Sequence, residues 1–163
     1  MKASFLAAAI AMLAGQASAL SCLRPDPIDT FNRLAAVEER YFVLSGTLTF
    51  DEGLLPPMVS DGPMGEPAPI PARFTGKGLT RDGFVNDYVG GVNLQITCAG
   101  PWCGSAQSGV EGVFFVEATE PRATVIADPC GGMIFPQATE AVKDMLTSCM
   151  AGGTCEPLAQ PLQ

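Results

Sequence analysis

Six cysteines, at positions 22, 98, 103, 130, 149 and 155, constrain this chain more than any other feature. Their meaning depends on the compartment, and residues 1–19, MKASFLAAAIAMLAGQASA, read as a secretory signal. Lys2 supplies the positive start, residues 5–14 an apolar run too short to span a bilayer, and Ala17-Ser18-Ala19 a small-x-small cleavage site. An even number of cysteines in an exported protein reads as three disulfides, with fifteen possible pairings. Cleavage after Ala19 leaves 144 residues, enough for one domain with one core over 20–163. A second small-x-small site, Ala19-Leu20-Ser21, overlaps the first, and a cut there makes Cys22 the amino terminus. Alanine at both key positions makes the first site the better match. A lipoprotein cut before Cys22 is disfavoured, because Ala19 stands where leucine is usual.

Charge and composition exclude several function classes. The formal net charge is −8, and losing Lys2 with the leader takes it to −9. Such a chain repels nucleic acid and anionic lipid. Histidine is absent, which removes the commonest general base and the commonest zinc ligand. Past the leader, glycine, proline or a charge interrupts every apolar run, so no membrane span is expected. The expected location is a periplasm or the extracellular space.

Periodicity then places the elements. Asp29 is the expected cap of a helix over 29–39, with Ile28 as staple and Phe31, Leu34, Ala35 and Val37 spaced for burial. Residues 41–50, YFVLSGTLTF, read as a strand with Phe42, Leu44, Gly46, Leu48 and Phe50 on one face and Gly46 marking a bend. Residues 51–71 hold six prolines and three glycines and read as a long loop, a loose acidic hairpin tip rather than a binding loop. Met58 and Met64 within it are too sparse for a copper site and read as apolar cover. Further strands are expected over 73–80, 92–98, 113–119 and 123–127, with a short ribbon over 84–88 and the last two strands joined through Glu120-Pro121-Arg122. Thr139 is placed to cap a helix running to 150 that buries Val142, Met145, Leu146 and Cys149, and 156–163 reads as a flexible tail. A helix, about five bent strands and a second helix predict a small closed barrel.

The ordered features resemble the netrin-like domain, the OB-type barrel of the tissue inhibitors of metalloproteinases. The resemblance runs through Cys22, a proline-rich step, a helix with Phe31 and the strand FVLSGTL. It continues through Cys103-Gly104, Gly112, the strand VFFVEA, DPCGG with Cys130, and a helix ending at Cys149. Its implied fold is a mainly β, five-stranded OB-type barrel with a short helix at each end, stapled by disulfides. Two departures matter. No Cys-x-Cys stands at Cys22, where Leu23 and Arg24 follow, and Asn32 stands after Phe31 where the inhibitors have another cysteine, the partner expected for Cys149. The resemblance therefore implies Cys22–Cys130, with the extra Cys98 joined to Cys103 and the orphaned Cys149 to Cys155. The rival arrangement exchanges partners to Cys22–Cys103 and Cys98–Cys130.

CAGPWCG, residues 98–104, raises redox and metal readings that its spacing rejects. Thioredoxin-type chemistry needs two thiols separated by two residues at a helix start, and here four intervene. Zinc lacks histidine and a second cysteine pair at ligand spacing. A structural staple remains, with Gly100-Pro101 shaping the turn and Trp102 covering it. The carboxylates Glu38-Glu39, Asp51-Glu52, Asp82, Asp87, Glu111, Glu117, Glu120 and Asp128 show no acid/base pattern. Ser105 and Ser108 have no histidine to activate them, and Gly76-Lys77-Gly78 lacks phosphate-loop spacing. Phe74, Phe84 and Tyr88 read as core rather than as a stacking platform for nucleic acid.

The expectation is thus a non-catalytic, cofactor-free, metal-free binding module with a protein partner. In the family, the amine and carbonyl of the amino-terminal cysteine chelate a target protease's zinc. That role passes to Cys22 only if cleavage follows Ser21. The contact surface the resemblance implies is one rim holding Cys22, Leu23, Arg24 and Pro25, the 51–71 loop, and the turn carrying Trp102. The competing expectation is a redox or envelope-assembly accessory working through a labile Cys98–Cys103 or Cys149–Cys155 bond.

Overall fold

The β-branched and aromatic run YFVLSGTLTF forms strand β1, Tyr41–Phe50, and everything else is arranged about it. The computed structural model of the chain describes residues 22–62 and 65–157; the expected leader, both cleavage sites, Met64 and the tail from 158 lie outside them. One edge of β1 pairs antiparallel with β2, Ile70–Thr80, and the other with β6, Glu111–Glu117. Strand β3, Gly83–Ile96, follows β2 as an antiparallel hairpin arm and then runs parallel to β7, Thr124–Ala127. Since β7 also pairs antiparallel with β6, the succession β1–β2–β3–β7–β6 returns to β1. A short strand β8, Ile134–Pro136, adds to β6. Cys98–Ala99 (β4) and Trp102–Cys103 (β5) make a separate two-stranded pair.

This arrangement gives β1 and β6 two buried faces. Leu44, Leu48, Phe114 and Val116 join Phe74, Val92, Leu94, Ile96 and Val125 in a cluster enclosed by the strands. Val43, Val113 and Phe115 face a second cluster with Ile28, Leu34, Met133, Leu146 and Cys149 beneath the helices. Ser45, on the same face of β1 as Val43, is buried on the side that the helices cover.

A row of glycines lets the strands come this close. Gly46 opposes Gly76 on β2 and Gly112 on β6, in one line across three strands. A Cβ at Gly46 would lie 2.3 Å from the Thr75 carbonyl oxygen, and one at Gly76 2.2 Å from that of Ser45. The bend expected at Gly46 is therefore part of a three-strand crossing.

Two expectations about element boundaries are corrected. The stretch 84–88 and most of 92–98 are one strand, β3, which ends at Ile96 while Cys98 belongs to β4; β2 opposes β3 from Ile70↔Leu94 to Thr80↔Gly83 with a single irregularity at Gly78/Leu79. Its Gly90-Gly91 pair stays extended because Phe74 and Arg73 hold the ladder opposite. With β8 and the β4–β5 pair, the described residues thus contain more strands than the five expected. The first helix, α1, spans Pro27–Ala35 rather than 29–39, and its cap is Asp26, whose Oδ1 accepts from the Ile28 and Asp29 amides at 2.7 and 3.2 Å. Proline at the first helical position has a φ already suited to the helix and no N–H to leave unpaired. Ala35 and Val37 are consequently exposed, not buried.

The second helix, α2, spans Glu140–Met150 with Thr139 as its cap, and it buries Leu146 and Cys149. Phe74 is fully buried, while Phe84 and Tyr88 are half-buried against the two clusters, so all three serve the core.

Three disulfides complete the frame: Cys22–Cys130, Cys98–Cys103 and Cys149–Cys155. The exchanged arrangement of the first four cysteines is not adopted. Asn32 Nδ2 donates to the Cys155 carbonyl at 3.1 Å, tying α1 to the loop that the third disulfide closes.

Candidate functional site

CAGPWC folds as a minimal hairpin. Cys98 opposes Cys103 and Ala99 opposes Trp102, leaving Gly100-Pro101 as a two-residue turn. Gly100 has φ of 62°, which a residue with a Cβ adopts only at a cost, and glycine first in the turn suits a hairpin. The disulfide closes the hairpin across its cross-strand pair. Gly104 follows directly, and its missing side chain matters. A Cβ there would lie 2.1 Å from the Ala127 carbonyl oxygen, so the hairpin sits directly on the end of β7.

Part of the 51–71 loop docks along this hairpin. The Cys103 amide donates to the Met58 carbonyl at 2.9 Å, the Ser60 amide donates to the Pro101 carbonyl at 3.0 Å, and Val59 forms a bridge with Trp102. The Ser60 hydroxyl donates to the Gly62 carbonyl. At its start, the loop makes a single 3-10 turn, Glu52–Leu54, capped by Asp51. Glu52 Oε1 accepts from the Ser108 amide at 2.7 Å, and Ser108 Oγ accepts from the Phe50 amide at 2.9 Å. The loose hairpin tip expected for this segment is corrected: proline removes ladder donors, but carbonyls and side chains anchor the loop at both places. Met58 and Val59 stay largely exposed there, Val59 at 63 %.

The Cys22–Cys130 bond belongs to the same end of the molecule through β7. The Thr97 amide donates to the Ala127 carbonyl at 2.9 Å, Gly104 packs against the 127–128 backbone, and Asp128 Oδ1 accepts from the Cys130 amide at 2.9 Å. Beside that bond, Leu23, Arg24 and Pro25 line an open hollow with Asp29, Arg33 and Gly132. Leu23 is 92 % exposed. Trp102 is half-buried in its hairpin and does not line this hollow. The structure therefore joins Trp102 to the 58–60 segment, and places Leu23, Arg24 and Pro25 in a separate hollow beside the Cys22–Cys130 bond.

A second hollow gathers charges that sequence reasoning left scattered. Asp82, Glu111, Glu140 and Asp144 line it with Lys77 and Lys143. Lys143 Nζ lies 2.9 Å from Glu140 and 3.5 Å from Glu111. Its hydrogen bond to Glu140 raises the Lys143 pKa, with the negative charge nearby assisting against burial. The ammonium is thus held charged, which suits a structural tie and not a base. Elsewhere, the Lys77 hydrogen bond and charge hold Asp87 below the usual carboxylate range, and burial raises Tyr41 and Tyr88.

Among the described residues, no group of three or more Asp, Glu or Cys is placed to hold a metal ion, and no helix is long and apolar enough to cross a membrane. Comparison with protein-family models, curated proteins and solved structures gave no match to this chain.

Proposed function

We propose that this chain is an exported, disulfide-stabilised and non-catalytic binding module, an OB-type barrel of netrin-like kind that holds a protein partner at its rim. The observation that carries the reading is the docking of residues 58–60 on the Cys98–Cys103 hairpin. It fixes Met58, Val59 and Trp102 on backbone held by hydrogen bonds and a disulfide, with apolar side chains left outside. A rigid, partly apolar projection loses little conformational freedom on binding and so suits a protein surface. In this reading Leu23, Arg24 and Pro25, held beside the Cys22–Cys130 bond, also contact the partner.

The barrel reading rests on the succession of strand pairings that closes on β1, with helices on one side. It is supported by Asn32, which stands where the inhibitors carry a cysteine and holds the 149–155 loop by a hydrogen bond instead. Three disulfides fit an oxidising compartment outside the cytoplasm. A protease is the partner class the resemblance favours, and zinc chelation by Cys22 requires its amine to be free. The redox reading is the alternative, and exchange in it would run through the partly exposed sulfurs of Cys98 or Cys155.

The test is site-specific photo-crosslinking in the native host, with a photoreactive residue placed at Leu23, Met58 or Trp102 and, as control, at Ser148 on α2. One partner trapped from the first three positions and not from the control is the expected result. Equal trapping at all four sites, or none, defeats the reading. The unreduced intact mass from the same preparation reports whether the chain starts at Leu20 or at Cys22, and only the second start leaves the zinc-chelating mechanism open.

A further inference from the structure

One edge of β3 is open over part of its length. At Asn93 and Leu94 the strand is paired on both sides, with β2 and with β7, and Gln95 and Ile96 continue on β7 alone. From Asn86 to Gly91 only β2 is opposite, Val85 falls at the irregularity of that pairing, and among the described residues no strand pairs with the other edge. Which groups face that edge follows from strand alternation. The Asn93 amide donates toward the β7 side, to the Ala123 carbonyl at 2.9 Å. Stepping back by two, the N–H and C=O of Gly91, Val89 and Asp87 point the same way, where no strand meets them. The intervening Asn86, Tyr88 and Gly90 use theirs on β2.

The side chains at this edge are equally distinctive. Val85 is 52 % and Val89 59 % exposed, β-branched residues on a strand with an open edge. Asp87 lies between them, its carboxylate exposed and 2.8 Å from Lys77. Gly91 leaves a gap beside the Arg122 guanidinium, whose nearest nitrogen is 3.9 Å from where a Cβ would be. Open edges of this kind pair with any available strand unless something selects the partner. Here the selection is by charge and shape. A basic residue complements Asp87, a β-branched residue packs on Val89, and an aromatic ring covers Gly91.

We propose that the 85–91 edge of β3 binds an extended segment of a protein partner by β-augmentation. The segment adds antiparallel, and reads aromatic, any, β-branched, any, basic from its amino end, opposite Gly91, Val89 and Asp87. Main-chain hydrogen bonds supply the attraction and the alternate side chains the selection. A second copy of this chain is the wrong occupant. The net charge of −8 opposes self-association, and pairing two β3 strands about Asp87 sets the two carboxylates face to face.

The probe is a capped heptapeptide alternating threonine with tyrosine, valine and lysine in that order. It is titrated to about 1 mM, the weak end of specific association, into the 15N-labelled full-length mature protein. The amides of Asp87, Val89 and Gly91 are expected to shift and to exchange more slowly with solvent, and those of Asn86, Tyr88 and Gly90 to respond less. Asp87→Lys should weaken this peptide about tenfold and favour its glutamate counterpart by a similar factor. Val89→Pro, which removes an outward N–H and leaves the β2 ladder its donors, should abolish binding. Equal binding of a peptide with the three residues in reversed order overturns the proposal. So do shifts confined to the 58–60 and 98–103 rim, undiminished binding by both variants, or a dimer that forms with concentration and is lost in Val89→Pro.

Discussion

Gly46, Gly76 and Gly112 occupy one line across β2, β1 and β6, where the backbones are too close for side chains. Replacing Gly46 by alanine forces a methyl to 2.3 Å from a carbonyl oxygen that a ladder holds in place. The strands must part, at a cost of about 3 kcal/mol. Gly78→Ala is the control, since its nearest neighbour would be an ordinary 3.7 Å away, and it should change stability by less than about 1 kcal/mol. Urea denaturation of both variants checks the contrast. Gly46 was visible in the sequence as a bend, because glycine interrupts an otherwise β-branched and aromatic run. Gly76 and Gly112 were not visible as its partners. Register across strands is set by pairing distant in sequence, and no local pattern reports it.

At the scale of elements, the strands with strong alternation and the second helix are where periodicity puts them. The boundaries that differ each have a local cause. For α1, two aspartates three residues apart compete to cap, and Pro27 decides for Asp26 by supplying a first helical residue that lacks an N–H. Asp26→Ala removes the acceptor for two buried or half-buried amides and should cost about 1–2 kcal/mol, whereas Asp26→Asn, an equally good cap, should cost a few tenths. Thermal melting of the two variants separates capping from bulk. For β3, the Gly90-Gly91 pair looked like a break, and it is one only in propensity. Eleven residues of β2 opposite supply the ladder that propensity lacks. The 51–71 loop is a similar case, since its anchors are the Cys98–Cys103 hairpin and Ser108, both far along the chain.

For the molecule as a whole, the disulfides differ in what they restrain. Cys22–Cys130 spans 108 residues, whereas Cys98–Cys103 spans 5 and Cys149–Cys155 spans 6. In the chain-entropy model the long closure contributes about 5 kcal/mol and each short one about 2. Changing Cys22 and Cys130 together to serine should therefore lower stability by more than twice the effect of the Cys98/Cys103 pair, by equilibrium denaturation. The Cys98/Cys103 change should instead act locally. It should speed amide exchange at position 103 and at Ser60, whose amides hold the hairpin to the loop, while the two core clusters stay protected.

The sequence by itself determined the mainly β character, the two helices, the need for three disulfides and the absence of histidine chemistry. Each of these is carried by residue type or by a period of two or 3.6, which neighbours in the chain suffice to express. The tertiary structure alone decided the glycine row, the covering of the second face of β1, the seating of 58–60 on the Cys98–Cys103 hairpin and the open edge of β3. These are products of which strand lies beside which. That choice is made by long-range burial and backbone pairing, whose partners stand tens of residues apart.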